Sequence, residues 1–326
     1  MPRRALVTGI GGQDGSYLAE LLLGNGYDVF GSVLGSPERY EPLAAIHDRI
    51  TFLELDLTDG DAVASAIREV RPDETYHLAS ASFVPASWDD PVGTVTFAAA
   101  APSALLDGLR REHPEGRFLN AASAEIFGEP EERPQSERTP VAPITPYGAG
   151  KAVAHFLTGS FRRQYGLHAS SAILFNHESP RRPEQFVTRK VSRGVAAISL
   201  GLEQELRLGD LSAQRDWGFA GDYVRAMWMI LQADGPDDYV VATGQAHAVE
   251  EFVAAAFGRV GLDWQEHVRF DEGLARGVSD PRVLVGDPAK IRERLGWEPE
   301  VRFDDLVKML VDADVEELRA QTASAR

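Results

Sequence analysis

Short apolar runs alternate with longer segments of mixed polarity through the first half of the chain. Ala5-Leu-Val-Thr8 is followed, after a glycine-rich turn, by Tyr17-Leu18 and Leu21-Leu22-Leu23 at helical spacing. Tyr27–Val33, Thr51–Leu55, Glu74–Leu78 and Arg117–Asn120 repeat the strand pattern, with helical segments between them. Such alternation predicts an α/β fold, a doubly wound parallel sheet of the Rossmann type. From Ala172 the chain becomes rich in proline and charge, which predicts a loop leaving the sheet and then a helix. Asp238-Tyr-Val-Val-Ala-Thr243 predicts a return to the sheet, and the residues after about Ala320 read as a frayed tail.

The turn after the first strand is Gly9-Ile-Gly-Gly12-Gln13-Asp14-Gly15. Strand, glycine turn and helix in that order is the setting of a dinucleotide fingerprint. Gly9 permits the tight turn, Gly12 lets backbone amides approach a pyrophosphate, and Gly15 lets helix and strand pack closely. The expected organisation is therefore a dinucleotide-binding domain over 1–171, rejoined at about 213–245, and a smaller C-terminal α/β substrate-binding domain. The latter takes 172–326, mainly 172–212 and 246–326. Asp56-Leu57 and Leu78-Ala79-Ser80 follow the third and fourth strands at their carboxyl ends, where ligands bind in such sheets.

Composition narrows the classes. The 326 residues are 44% hydrophobic and 25% charged, as in an ordinary globular protein. A net charge of -17 argues against a nucleic-acid partner, which calls for a basic face. There are no cysteines, which excludes disulfides and thiolate metal sites, and His177 has no second histidine at ligand spacing, so no metal is expected. No long apolar stretch or signal segment is evident, and the expectation is a cytoplasmic enzyme that does not engage a membrane.

Candidate chemistry lies between the fifth strand and the next helix. Tyr147 and Lys151 are four apart, so a helix starting near Pro146 places both on one face. A phenol titrates near ~10, and an ammonium within hydrogen-bonding reach favours its anion. Ser123 and Glu125 follow the fifth strand and would project into the same crevice; a helix cap is the alternative for that pair. The Arg and Lys cluster from Arg181 to Arg215 offers charge for a diphosphate.

With these residues assembled, the chain resembles the extended short-chain dehydrogenase/reductase superfamily and, within it, the GDP-mannose 4,6-dehydratase family. The resemblance rests on Thr8-Gly-Ile-Gly-Gly-Gln-Asp-Gly-Ser-Tyr-Leu-Ala-Glu20, Ile173-Leu-Phe-Asn-His-Glu-Ser-Pro-Arg-Arg182, Phe186-Val-Thr-Arg-Lys190 and Arg215-Asp-Trp-Gly218. It implies a nucleotide hexose as substrate, GDP-mannose first among them, and an internal redox dehydration to a 4-keto-6-deoxy sugar. Tyr147, helped by Lys151, would take the C4 hydroxyl proton, Ser123 would hold the C4 oxygen, and Glu125 would remove the C5 proton. His177 and Arg182 match cofactor positions, and Ser82, Asn176, Val187, Lys190 and Arg215 match positions toward the substrate; Arg276 is the candidate for the family's arginine near the nucleotide, in a stretch that departs from the family pattern. The resemblance also implies NADP, with NAD possible, and a homodimer or homotetramer. A related nucleotide-sugar epimerase, reductase or dehydratase is the alternative, with Glu125 the feature that tells against the first two; a non-catalytic dinucleotide-binding protein is the third reading.

The chain departs from the family pattern in places. Leu34 and Gly35 stand where paired arginines usually hold the 2′-phosphate of NADP, and no acidic residue selecting NAD ends the second strand. Arg39 is the candidate substitute. Gly93 stands where the family has tyrosine, Ala101-Pro102 where it has Gly-Thr, and Ser123 where threonine is usual. Gly148 and Gly150 are expected to weaken their helix by about 1 kcal/mol each relative to alanine.

Overall fold

Seven short strands, most of them buried on both faces, form one parallel sheet in a computed structural model that describes residues 1–274 and 283–324. They are β1 (Arg4–Thr8), β2 (Asp28–Val33), β3 (Ile50–Glu54), β4 (Glu74–His77), β5 (Arg117–Ser123), β6 (Ala169–Leu174) and β11 (Tyr239–Val241). Their order across the sheet is β11-β6-β5-β4-β1-β2-β3. The reversal of direction at β1 and β4 opens a crevice at the carboxyl ends of those strands. Strand β5 runs on to Ser123, and β6 continues to Leu174, past the expected change of character at Ala172, because Ile173 and Leu174 are still buried.

Helices cover both faces. On one lie α1 (Gln13–Gly24) and α6 (Ala220–Gln232), whose Leu18, Leu22, Met227 and Ile230 pack on Val7, Val29 and Leu119. On the other lie α2 (Gly60–Val70), α3 (Pro91–Glu112) and α4 (Pro146–Tyr165), meeting Leu6, Phe118 and Ala169. Helix α3 is long and apolar enough by composition alone to cross a membrane. Its Ala101, Leu105, Leu106 and Leu109 are instead fully buried in this core, and it continues through Pro102 without ending. Helix α4 has Thr145 as its cap, accepting from the Gly148 N–H at 3.0 Å, Pro146 in its first turn and Gly166 at φ +68° as its stop.

The rest of the chain builds a second, smaller core. After β7 (Asn176–Glu178) come α5 (Val187–Ser199), β8 (Leu206–Leu208), β9 (Gln214–Arg215) and β10 (Trp217–Phe219). Beyond β11 follow β12 (His247–Ala248), α7 (Val249–Arg259), α8 (Trp264–His267), β13 (Val268–Phe270), β14 (Val283–Leu284), α9 (Ala289–Leu295) and α10 (Phe303–Ser324). Val191 and Val195 of α5, Phe252 and Phe257 of α7, and Leu306 and Leu310 of α10 pack together. The buried Asp314 of α10 fixes α5 through Arg189 at 2.8 Å and Ser192 at 2.5 Å. Arg189 stands in the first turn of α5, together with Val187 and Lys190.

Candidate functional site

The glycine loop is built as only glycine allows. Gly9 has φ +67°, and a Cβ there would lie 2.9 Å from the Ala79 backbone. At Gly15 a Cβ would overlap the Gly9 carbonyl oxygen, so helix and strand could not approach as they do. Gly12 caps α1 in extended conformation without a side chain over the helix end. The first N–H groups of α1 therefore face outward with the positive end of the helix dipole, which suits a pyrophosphate. Tyr40 packs its ring against Gly11, in space that a Cβ would occupy. Sequence reading missed Tyr40 because an irregular loop carries no periodic signal.

A cavity of about 780 Å³ runs from this loop over the carboxyl ends of β1, β4 and β5. The residues expected to contact a cofactor line it, including Asp14, Asp56, Leu57, Leu78, Ala79, Ser80, His177 and Arg182, with the exception of Arg39. Ser82, Asn176 and Arg215 line it as well. A second cavity of about 410 Å³ shares Asn176, Phe186 and Arg215 with the first and adds Val187 and Lys190. Phe83 of its wall meets Phe186 edge-on at 5.4 Å, an aromatic contact not foreseen from the sequence. Arg276 lies outside the described residues.

Ser123, Glu125, Tyr147 and Lys151 all reach the first cavity. Ser123 is both things the sequence allowed. Its Oγ accepts from the Glu125 N–H at 3.3 Å, capping a short 3-10 turn, and it lines the cavity beside Tyr147. Lys151 differs from expectation. Its Nζ donates to the Ala121 carbonyl at 2.8 Å and stands 5.7 Å from the centre of the Tyr147 ring. Burial pushes the phenol up to about 12; Ser123 and Arg182 lower it, while the charges of Glu125 and Asp14 add to the rise. Burial likewise lowers the Lys151 ammonium to about 8, with Asp14 opposing. Desolvation thus outweighs the mutual support that the four-residue spacing suggests.

Two ion pairs frame the phenol. His177 Nδ1 donates to the Phe175 carbonyl at 2.7 Å, and Nε2 lies 2.8 Å from Asp14 Oδ2. Both ring nitrogens face acceptors, so the ring is held as an imidazolium against a carboxylate. Burial works against both charges, yet the pairing prevails, taking Asp14 down to about 2 and raising His177. Next to it the buried Glu178 accepts from Thr188 Oγ1 at 2.6 Å and pairs with Arg182 Nε at 3.2 Å. Arg182 lies 3.6 Å over the Phe186 ring. Asp14 and His177 are far apart in sequence, and neither spacing nor composition signals their pairing.

Gly148 and Gly150 have a packing reason that propensity conceals. A Cβ at Gly148 would lie 2.5 Å from the Glu125 carbonyl oxygen, and one at Gly150 would lie 2.7 Å from Ala98 Cβ. Gly148 thus lets the Tyr147 turn rest on the Glu125 backbone. Alanine at 148 gains helix propensity but displaces those two residues from each other. The expected result is a fall in turnover of roughly 10²-fold with cofactor affinity retained, measured by steady-state assay beside a cofactor titration. Unchanged turnover would show that this contact does not set the site.

The residues present fit a nicotinamide dinucleotide. Gly9 and Gly15 let the loop close on the Ala79 and Ile10 backbone, Gly12 keeps the end of α1 clear of any side chain, and that helix end supplies N–H donors. At the far end of β2, Arg39 bends back to donate to the Leu34 carbonyl, beside the Gly35 turn at φ +75°.

A family model described as GDP-mannose 4,6 dehydratase matches residues 6–310. GDP-mannose 4,6 dehydratase 2 of Arabidopsis thaliana is 45% identical over 97% of this chain and 88% of its own length. GDP-mannose 4,6 dehydratase of Homo sapiens is 41% identical over 97% and 92%. Among solved structures, the UDP-glucose 4-epimerase of Thermus thermophilus in complex with NAD superposes with a TM-score of 0.84 at 27% identity, covering 95% of this chain and 98% of that one.

Proposed function

The chain belongs to the GDP-mannose 4,6-dehydratase family, a family of hydro-lyases using NAD(P), and from that premise we propose that it converts GDP-mannose to GDP-4-keto-6-deoxymannose. The observation that carries the reading is the convergence of Ser123, Glu125, Tyr147 and Lys151 on a cavity that shares Asn176, Phe186 and Arg215 with a second one. An epimerase or reductase has no need of a carboxylate beside the catalytic phenol; a dehydratase does. The second cavity, with Lys190 and Arg215 at a partly aromatic wall, suits a nucleoside diphosphate.

The bound nicotinamide cofactor supplies a hydride acceptor and later a hydride donor, which no side chain can provide. Gly9, Gly12 and Gly15 would hold its pyrophosphate, and Asp14, His177 and Lys151 would stand at its reactive end. Tyr147 accepts the C4 hydroxyl proton while Ser123 holds the C4 oxygen. The resulting ketone acidifies C5, whose proton Glu125 removes and passes to the departing C6 oxygen, released as water. Arg182, pinned by Glu178, keeps positive charge beside the phenol as it takes part. We assign NADP over NAD, because the end of β2 offers Arg39 and no carboxylate for a ribose diol.

Incubation with GDP-mannose and with UDP-, dTDP- and CDP-hexoses, each with NADP or NAD, tests this. The expected result is loss of water from GDP-mannose, an NMR-defined 4-keto-6-deoxy product and tighter binding of NADP, with Arg39→Ala narrowing the gap to NAD. An unchanged C6 hydroxyl in the product, or stoichiometric consumption of reduced cofactor, overturns the assignment.

A further inference from the structure

Arg215, which lines both cavities, is placed by its backbone. It lies in β9, the middle strand of a three-stranded sheet ordered β12-β9-β14, with His247 and Leu284 as its register partners. All three strands are two residues long, so ladder pairing alone would hold Arg215 weakly. Its side chain is 7% exposed and donates through Nη1 to the Gln214 carbonyl at 2.8 Å. The direction of the guanidinium therefore follows the course of β9.

The next residue, Asp216, is fully buried and lines neither cavity. Its Oδ1 accepts from the Thr243 N–H at 2.8 Å and the Thr243 hydroxyl at 2.6 Å. Its Oδ2 accepts from the N–H groups of Gly244 at 2.9 Å and Gly286 at 3.2 Å. These donors match the lone-pair sites of one carboxylate. Burial raises the Asp216 pKa, and each of the donors opposes the rise. Thr243 and Gly244 stand where the chain leaves β11 to form β12, and Gly286 where it returns after β14. The return is pinned as well. A Cβ at Gly286 would lie 2.3 Å from Ala242 Cβ, and the buried Gln135 accepts from the Val285 N–H through Oε1 at 3.0 Å. The Asp216 N–H completes the joint by donating to the Leu284 carbonyl at 3.0 Å. On its other side Trp217 opens β10 as the register partner of Asn176, another residue shared by both cavities.

We propose that Asp216 is a positioning residue for nucleoside-diphosphate recognition, its carboxylate latching the two strands that flank Arg215 and so fixing that guanidinium in the cavity. This rests on the reading of the second cavity as the nucleoside-diphosphate site. A guanidinium meets phosphate oxygens well only in a narrow range of orientations, because its donors form a rigid fork. Two-residue strands do not supply that rigidity. A buried carboxylate joining both of them to the end of the large sheet does.

Calorimetric titration of GDP into the wild-type chain, Asp216→Asn, Arg215→Ala and the double variant tests this. Asparagine keeps the shape but turns an N–H toward backbone N–H donors, which opens the latch. Asp216→Asn should weaken GDP binding about tenfold and Arg215→Ala about thirtyfold, with the double variant losing no more than Arg215→Ala alone. KM for GDP-mannose should follow the loss of GDP affinity, while kcat and NADP binding stay within about twofold. Losses that multiply in the double variant overturn the proposal, and so does wild-type GDP affinity in Asp216→Asn. Should that variant fail to fold, Thr243→Val removes a single donor and should weaken GDP binding about threefold; no loss there overturns the proposal equally. Amide hydrogen exchange provides a readout without ligand. Gly244 and Gly286 should exchange at least about tenfold faster in Asp216→Asn while β1 and β4 are unchanged, and equal rates would overturn the latch. Wild-type protein that binds no GDP would overturn the nucleoside-diphosphate reading instead, while exchange still decides the latch.

Discussion

Replacing Glu125 by glutamine lowers the rate of dehydration by on the order of 10²–10⁴-fold. The amide keeps the size and position of the side chain, and the Ser123 cap accepts a backbone N–H that the substitution does not touch. Under the proposed mechanism, what disappears is the base that removes the C5 proton and the acid that delivers it to the leaving oxygen. Tyr147 and Ser123 remain, so oxidation at C4 should persist and the block should fall after it. Mass spectrometry of the sugar nucleotide would follow loss of water, and NMR in D2O would follow entry of solvent hydrogen at C5. Both should slow together. Full turnover by the variant would remove Glu125 from the chemistry and return the epimerase and reductase readings.

Replacing Lys151 by methionine should move activity and stability in opposite directions. Lys151 is a buried cation, and burial lowers its pKa to about 8 while its ammonium donates to the Ala121 carbonyl, a neutral acceptor. Turnover should fall by at least about 10²-fold, since the cation beside the phenol and the cofactor site is lost. Stability at pH 7 should rise by about 1–3 kcal/mol, because the desolvation of an ammonium is no longer part of folding. The sign of the pH dependence follows from the lowered value. Between pH about 8 and the ordinary lysine range the unfolded chain binds more protons than the folded one, so wild-type stability rises with pH. Chemical denaturation across that window should find the gap between variant and wild type closing. A variant less stable than wild type at pH 7 would mean that Lys151 is paired more strongly than its surroundings indicate.

The sequence by itself determined the parts whose physics is local. Apolar runs alternating with helical periodicity specify a parallel sheet, because a strand buried on both faces has no polar side to show. Gly9 and Gly15 read correctly because their constraint, a left-handed turn and a close backbone approach, lies within a few residues of one another. The motif residues from Asn176 to Lys190 carried the family, and with it the reaction class.

Tertiary structure decided what depends on residues distant in sequence. Spacing put Lys151 beside Tyr147, but only packing shows that the lysine is held by Ala121 and that burial outweighs its help to the phenol. Asp14 and His177 were both expected from the sequence to contact the cofactor, yet their pairing arises from a strand of the second half meeting the first helix. Gly148 looked like a weak helix position until the Glu125 carbonyl was found against it. The row of buried polar residues Thr8, His77, Asn120 and Ser171, register partners across β1, β4, β5 and β6, is invisible in sequence, since each member is a single polar residue in a different strand. Only the sheet register, a set of contacts between strands far apart in the chain, lines them up.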